Sequence, residues 1–202
     1  MSSEKGFFGH HNHNEQHEFS APPPNYAATT MPSSGFRIAL NSAVPISKHD
    51  IERAGHAPFA DLDRSPIYLG SAIFMKDDGV TQKSVQPCKI GPHLYPSPCS
   101  VAFGGREVSH HGRYDLLLFD HATMEWVPTS HGRIPEGRTP VEGGYEENVH
   151  DKLYHAAARI NNLLIPGKTG HHLGAAHVSF GGGEHTVREH YEILCWKLHH
   201  RQ

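Results

Sequence analysis

Val101-Ala102-Phe103-Gly104-Gly105-Arg106-Glu107 returns further along the chain as Val178-Ser179-Phe180-Gly181-Gly182-Gly183-Glu184. Tyr114-Asp115-Leu116-Leu117-Leu118-Phe119 returns as Tyr191-Glu192-Ile193-Leu194-Cys195-Trp196, and the spacing is the same, since 180 − 103 and 191 − 114 are both 77. Upstream, Pro87-Cys88-Lys89-Ile90-Gly91 matches Pro166-Gly167-Lys168-Thr169-Gly170 at an offset of 79, and Ile67-Tyr68 matches Leu153-Tyr154 at 86. Each change of offset marks a loop insertion in one copy. Matched pieces in one order mean two similar units that can complete each other's core, and two similar sites.

Around these pieces the apolar runs are short and bounded by Gly and Pro, which predicts strands. Residues 36–40, 67–74, 100–103 and 116–119 fit that pattern in the first copy, and 177–180 and 191–196 in the second. Residues 151–164 carry apolar side chains at helical spacing, but their counterpart at 67–74 reads as a strand, so the repeat predicts a strand in both. Each Phe-Gly-Gly ends a strand in a turn that needs positive φ, with the next strand expected near Tyr114 or Tyr191. Pro-Cys-Lys and Pro-Gly-Lys are expected in loops, where Lys89 and Lys168 would be free to meet a ligand. The predicted organisation is a disordered His/Pro-rich tail over 1–34, a first repeat over 35–125 and a second over 126–197. The predicted fold is all-β: two pseudo-symmetric, intertwined repeats in one compact β-sandwich-like domain.

Composition narrows the function. The 202 residues carry a net charge of −3 and no Lys/Arg cluster, which argues against a nucleic-acid partner. Twenty His residues make the chain strongly cationic in mild acid. Three cysteines, Cys88, Cys99 and Cys195, form no disulfide framework and suit a reducing compartment. The first 20 residues have no apolar signal core, and no apolar run is long enough to span a bilayer. A cytoplasmic protein is expected, with unconventional secretion left open.

From Trp126 the pattern becomes more specific. Trp126-Val127, Gly132-Arg133-Ile134-Pro135-Glu136-Gly137, Val141-Glu142-Gly143-Gly144, Leu153-Tyr154, Leu164-Ile165-Pro166-Gly167-Lys168, Val178-Ser179-Phe180-Gly181-Gly182 and Tyr191-Glu192-Ile193-Leu194 follow in order. The series resembles the DM-nine repeat of natterin-like proteins and invertebrate lectins. Residues 36–125 resemble a diverged copy, with Ala54-Gly55 where the Gly-Gly pair belongs and extra residues between Ala57 and Pro66. The resemblance implies paired repeats that share strands, and sugar binding, typically of mannose, in the lectin members. It places the acid after Gly-Gly at Glu146 and the Lys after Pro-Gly at Lys168, with Lys89 as the matching Lys of the first copy. His56 and Ala57 then stand where the first copy's acid belongs, with Asp61 and Asp63 out of register, so the second copy is favoured as the site.

The chemistry suits a polyol. A carboxylate accepts hydrogen bonds from two adjacent hydroxyls while an ammonium donates to their lone pairs. Tyr145, next to Glu146, is a candidate stacking ring. One such wet site binds at around millimolar, and two copies or a homodimer would add avidity. No cofactor is implied and no enzyme is expected, because nucleophile-elbow, phosphate-loop and dinucleotide patterns are missing. Pore formation is not expected of this chain alone. Two alternatives stand beside the lectin. Pro23-Pro24-Asn25-Tyr26 fits the Pro-Pro-x-Tyr pattern gripped by WW domains. Metal binding is the other, through His10, His11, His13 and His17 of the tail or through His110, His111, His171, His172, His185 and His190, although none of these follows a zinc spacing.

Overall fold

Both Phe-Gly-Gly pieces form the same two-residue hairpin turn. Gly104 and Gly105 hold φ of 60° and 81°, and Gly181 and Gly182 hold 61° and 83°. Positive φ at both central positions is the requirement of a type I′ turn, which glycine meets without a Cβ clash. Each turn leads at once into another strand, so the long connection expected before Tyr114 or Tyr191 does not exist. The added strands, Arg-Glu-Val-Ser and Gly-Glu-His-Thr-Val, are largely polar and half-exposed. Hydropathy therefore does not mark them.

A computed structural model describes residues 31–198. The first copy comprises β1 (Arg37–Asn41), α1 (Lys48–Ala54), β2 (Phe59–Ala60), β3 (Pro66–Met75), β4 (Gln82–Ile90), β5 (Cys99–Phe103), β6 (Arg106–Ser109) and β7 (Arg113–Leu117). The second comprises β8 (Met124–Thr129), β9 (Glu142–Tyr145), β10 (Lys152–Ile160), β11 (Leu163–Gly170), β12 (Ala175–Phe180), β13 (Gly183–Val187) and β14 (Tyr191–Trp196), with a 3₁₀ turn at His171–Leu173. The ambiguous segment 151–164 is indeed strand, β10 into β11. Strands one to seven correspond in order to eight to fourteen.

The main sheet path is β1-β7-β3-β4-β5-β6-β13-β12-β11-β10-β14-β8. Exchanging each strand for its counterpart turns one half of that order into the other. The halves meet at β6 and β13, where Glu107 N donates to Gly182 O and Glu184 N to Gly105 O, at 3.0 and 3.3 Å. They also interlock. β9 pairs with β10 of its own copy and, through Tyr145 opposite Val85, with β4 of the other. The pairings β4-β5-β6-β13-β12-β11-β10-β9 thus close a barrel-like ring of antiparallel strands, leaving only β1 and β8 at the ends of the path. The core is shared in the same way: Phe59, Ile67, Leu69 and Leu117 pack with Val141, Ala157 and Leu194.

Two boundaries differ from the sequence prediction. Residues 31–34, assigned to the tail, belong to the fold, since Ser33 O accepts hydrogen bonds from Glu142 N and Trp196 Nε1. The rest of that tail lies outside the described residues, including its histidines and Pro23, Pro24 and Tyr26. Helix α1 is the second difference. Ser47 caps it by accepting from Asp50 N, and Gly55 ends it at a φ of 74°. The first copy's insertion therefore falls before β2, not between Ala57 and Pro66. Among the described residues no helix is long and apolar enough to cross a membrane.

One polar network sits inside the apolar frame. Arg37 of β1 donates to Ser34 O, to Ser71 Oγ of β3, to Glu142 O of β9 and to His155 Nε2 of β10, at 2.8–3.0 Å. Accepting at Nε2 puts the His155 proton on Nδ1, which is buried without a partner among the described residues. Burial first, and then the Arg37 charge, hold the His155 pKa well below its ordinary value. An imidazole kept neutral by folding gives stability that is present above its unfolded value of about 6.5 and lost as pH falls below it. Thermal stability should therefore drop from pH 7.5 to 5.5, by up to about 1.4 kcal/mol per pH unit for this group. His155→Leu should flatten that slope, because the first copy already carries Leu69 at the matching position, opposite Lys89 as His155 is opposite Lys168. Equal pH profiles for wild type and variant would assign the effect to another group.

Candidate functional site

Lys89 and Lys168, expected in loops, lie inside strands β4 and β11 and are 7% and 3% exposed. The preceding prolines mislead because strands rarely hold them. Here each proline is paired on one side only: Pro166 lies opposite Ala157 but just before the pairing of β11 with β12 begins at Gly167, and Pro87 lies opposite Ser71 but between the residues of β4 that pair with β5 and with β9. Each lysine is thus held by strand register, Lys89 opposite Ser100 and Lys168 opposite His177.

In the second copy, Lys168 Nζ is 3.7 Å from Glu146 Oε1 and donates to Gln86 Oε1 at 2.7 Å. It also stands 5.2 Å above the Phe103 ring, so the opposite copy supplies two of its neighbours. Burial lowers the Lys168 pKa, opposed by the charges of Glu146 and Glu184. The other Glu146 oxygen meets His172 Nε2 at 2.8 Å. Gln86 is fully buried and its Nε2 has no partner among the described residues. An acid, an imidazole, an ammonium and an amide converge.

The first copy brings together an acid, an imidazole and a lysine of the same kinds, although Lys89 is paired with Glu107 where Lys168 has Glu146, and this corrects the sequence reading. Asp61 follows β2 as Glu146 follows β9: Ala60 pairs with Pro66, the residue before Ile67, and Tyr145 pairs with Lys152, the residue before Leu153. Asp61, not His56 or Ala57, is therefore the structural counterpart of Glu146. The displacement comes from α1, which absorbs the extra residues before β2. His93 Nε2 meets Asp61 Oδ2 at 2.9 Å, as His172 meets Glu146. Lys89 Nζ donates to Glu107 Oε1 at 2.7 Å and to Ser179 O at 3.0 Å, and Glu107 also accepts from Ser100 Oγ and Gly182 N. Burial works against the Glu107 carboxylate, but the hydrogen bonds from Lys89, Gly182 and Ser100 outweigh it and hold its pKa below the usual value. Asp61 is lowered in the same sense: burial opposes, and the hydrogen bonds of His93 and Leu62 N prevail.

The first copy's cluster opens into a cavity of about 450 Å³ bounded by Asp61, Lys89, Tyr95, Ser100, Glu107 and, from the other copy, Phe180. Tyr145 belongs elsewhere. It lines a smaller cavity with Arg37, Ser71 and Asp115, and its hydroxyl donates to Gln82 Oε1 at 3.3 Å. Successive residues of an extended chain point to opposite faces, so adjacency to Glu146 in sequence separates the two side chains in space. His110, His111, His171, His172, His185 and His190 do not assemble a ligand set among the described residues. Among the described residues, the group of three side chains with that spacing is Asp61, Asp63 and His93.

The sequence reading sets Asp61 aside as out of register and takes His172 only as a metal candidate; it does not single out His93, Gln86 or Glu107. Two signals were present. Lys89-Ile90-Gly91-Pro92-His93 and Lys168-Thr169-Gly170-His171-His172 share Lys-x-Gly-x-His, and both turns read Phe-Gly-Gly-x-Glu. Gln86 has no such signal, because its counterpart at the offset of 79 is Ile165.

Comparison with known proteins gives a concordant result. The family model described as the DM9 repeat matches residues 61–187 and 149–202. No curated protein matches the sequence. Among solved structures, the nematode sperm cell motility protein MFP2B aligns with a TM-score of 0.51 at 11% identity, over 82% of this chain and 44% of that one. The chain therefore spans less than half the length of that neighbour, and the likeness is one of fold.

Proposed function

Because the chain belongs to the DM9 repeat family, which is associated with carbohydrate binding, we propose that it is a carbohydrate-recognition protein that holds its ligand without converting it. The observation carrying this reading is the recurrence of acid, imidazole and buried ammonium in both copies: Glu146, His172 and Lys168, and Asp61, His93 and Lys89. Each acid is within hydrogen-bonding distance of a ring nitrogen that fixes its orientation, and retains lone pairs for sugar hydroxyls. Each ammonium is already held by hydrogen bonds, Lys168 to Gln86 and Lys89 to Glu107 and Ser179 O, so little side-chain freedom is lost when it meets a ligand hydroxyl. The first copy joins the second as a binding site, and mannose-type sugars are the first to test.

A glycan array followed by calorimetric titration of the full chain tests this. Wild type should bind monosaccharide glycosides at around millimolar Kd with two sites per chain. Glu146→Gln with Lys168→Met should remove one site, Asp61→Asn with Lys89→Met the other, and the combination should bind nothing. Circular dichroism confirms that each variant is folded. Failure of wild type to bind any glycan, or undiminished binding by the combined variant, would discard the assignment.

A further inference from the structure

The two copies differ in what surrounds the shared chemistry. In the second, β11 ends at Gly170, β12 begins at Ala175, and the connection is the short 3₁₀ turn. In the first, β4 ends at Ile90 and β5 begins at Cys99, and the longer connection projects Tyr95 over the cavity. Tyr95 is 94% exposed, and Leu62 on the same cavity is 72% exposed. Large apolar surface left in water on the rim of a polar pocket needs an explanation beyond packing.

The loop carrying Tyr95 is built to stay in place. Leu94 packs into the shared core on one side of it. On the other, Ser97 Oγ donates to His110 O and accepts from Cys99 N. The loop ends are tied by Gly91 N donating to Pro98 O at 2.9 Å. Pro92, Pro96 and Pro98 restrict the backbone between these anchors. Residues on both sides of Tyr95 are fixed while its ring is left uncovered.

Resting on the carbohydrate reading above, we propose that Tyr95 is a stacking platform that makes the first-copy site selective for closed pyranose rings. The floor offers hydroxyl partners: of the three Lys89 ammonium hydrogens, two are taken by Glu107 and Ser179 O, and one is left for a ligand. Glu107, which already accepts from Lys89, Ser100 and Gly182, keeps one lone pair, and Asp61, engaged by His93 and Leu62 N, keeps two. A ligand that uses both floor and rim has adjacent hydroxyls on one edge and a continuous C–H face on the other. A pyranoside has both, whereas an open-chain polyol offers the hydroxyls alone. The corresponding turn of the second copy, His171-His172-Leu173, has no Phe, Tyr or Trp, and its His172 ring is turned to Glu146, so the platform belongs to the first site.

Ligand-observed NMR titration of the full chain carrying Lys168→Met, which leaves the first site to be read, distinguishes the cases. The probes are methyl α-mannopyranoside, methyl β-galactopyranoside and sorbitol. Both glycosides should bind about fivefold more tightly than sorbitol, and Tyr95→Ala should remove that margin while Tyr95→Phe keeps it. Because Tyr95 is on the surface, neither substitution should disturb the fold. A Tyr95→Ala variant that still prefers the rings, with binding nevertheless lost on Lys89→Met, overturns the platform and leaves carbohydrate recognition standing. Absence of binding by both the wild type and the Lys168→Met protein overturns both.

Discussion

Gly144→Ala is expected to destroy the native fold or to cost more than about 4 kcal/mol, well beyond ordinary substitutions. The reason is the approach of the two copies. A Cβ on Gly144 would lie 1.9 Å from Val85 O and 2.6 Å from Val85 C, both backbone atoms of β4. No side-chain rotation relieves such an overlap, so β9 would have to leave β4 and open the ring. A φ of 155° adds a conformation that residues with a Cβ rarely adopt. Gly143 is a milder case, since its Cβ would meet the Pro87 ring at 2.6 Å. The expected readout is loss of soluble protein, or a melting temperature lower by 10 °C or more. Gly144→Ala melting within two degrees of wild type would mean that the contact between β9 and β4 contributes little.

The same contact explains how far the sequence could be read. The repeat itself was legible because turn glycines, β-branched strands and buried tyrosines obey local rules that both copies must satisfy. Tyr114 and Tyr191, matched at 77, are both buried to within 1%, and the hairpin turns agree in φ to within two degrees. Glu146 and Lys168, which the DM-nine resemblance singles out, stand 3.7 Å apart. What escaped was set by contacts between copies or by insertions. Gln86 reaches Lys168 across the copy boundary, and no spacing within one repeat announces that. Asp61 was hidden because α1 shifts the chain register while the strand pairing stays unchanged. Proline before each lysine predicts a loop, although Pro87 and Pro166 both sit in strands that are paired there on one side only. Local chemistry survives duplication in readable form; shared chemistry must be seen in three dimensions.

Arg37→Ala should be the second most damaging change, costing about 3 kcal/mol or more. The guanidinium joins β1 to the 31–36 segment and to β3, β9 and β10, and so bridges the two copies. Ser71 Oγ would keep its bond to Gly143 O, but Ser34 O, Glu142 O and His155 Nε2 would lose their donor. Orphaned buried acceptors cost about 1–3 kcal/mol each where water does not reach them. Melting should fall by about 10 °C. Arg37→Lys should recover little, because one ammonium cannot reproduce a planar fork reaching four acceptors. The second copy shows the apolar solution at this place: Trp126 faces Leu194 as Arg37 faces Leu117, and it packs on Phe59 and Phe119. Burial lowers the Arg37 pKa and the Asp115 charge opposes that, yet the charge still disfavours a protonated His155. Arg37→Ala should therefore weaken the acid-side loss of stability as well as lower its plateau. In a His155→Leu background, the cost of Arg37→Ala should shrink by 0.5–3 kcal/mol, the range of a contacting pair. Strict additivity in that cycle would mean that the two residues act separately. His155 pairs in register with Lys168, so a coupled result would also tie the electrostatics of the core to the geometry of the Glu146–Lys168 cluster.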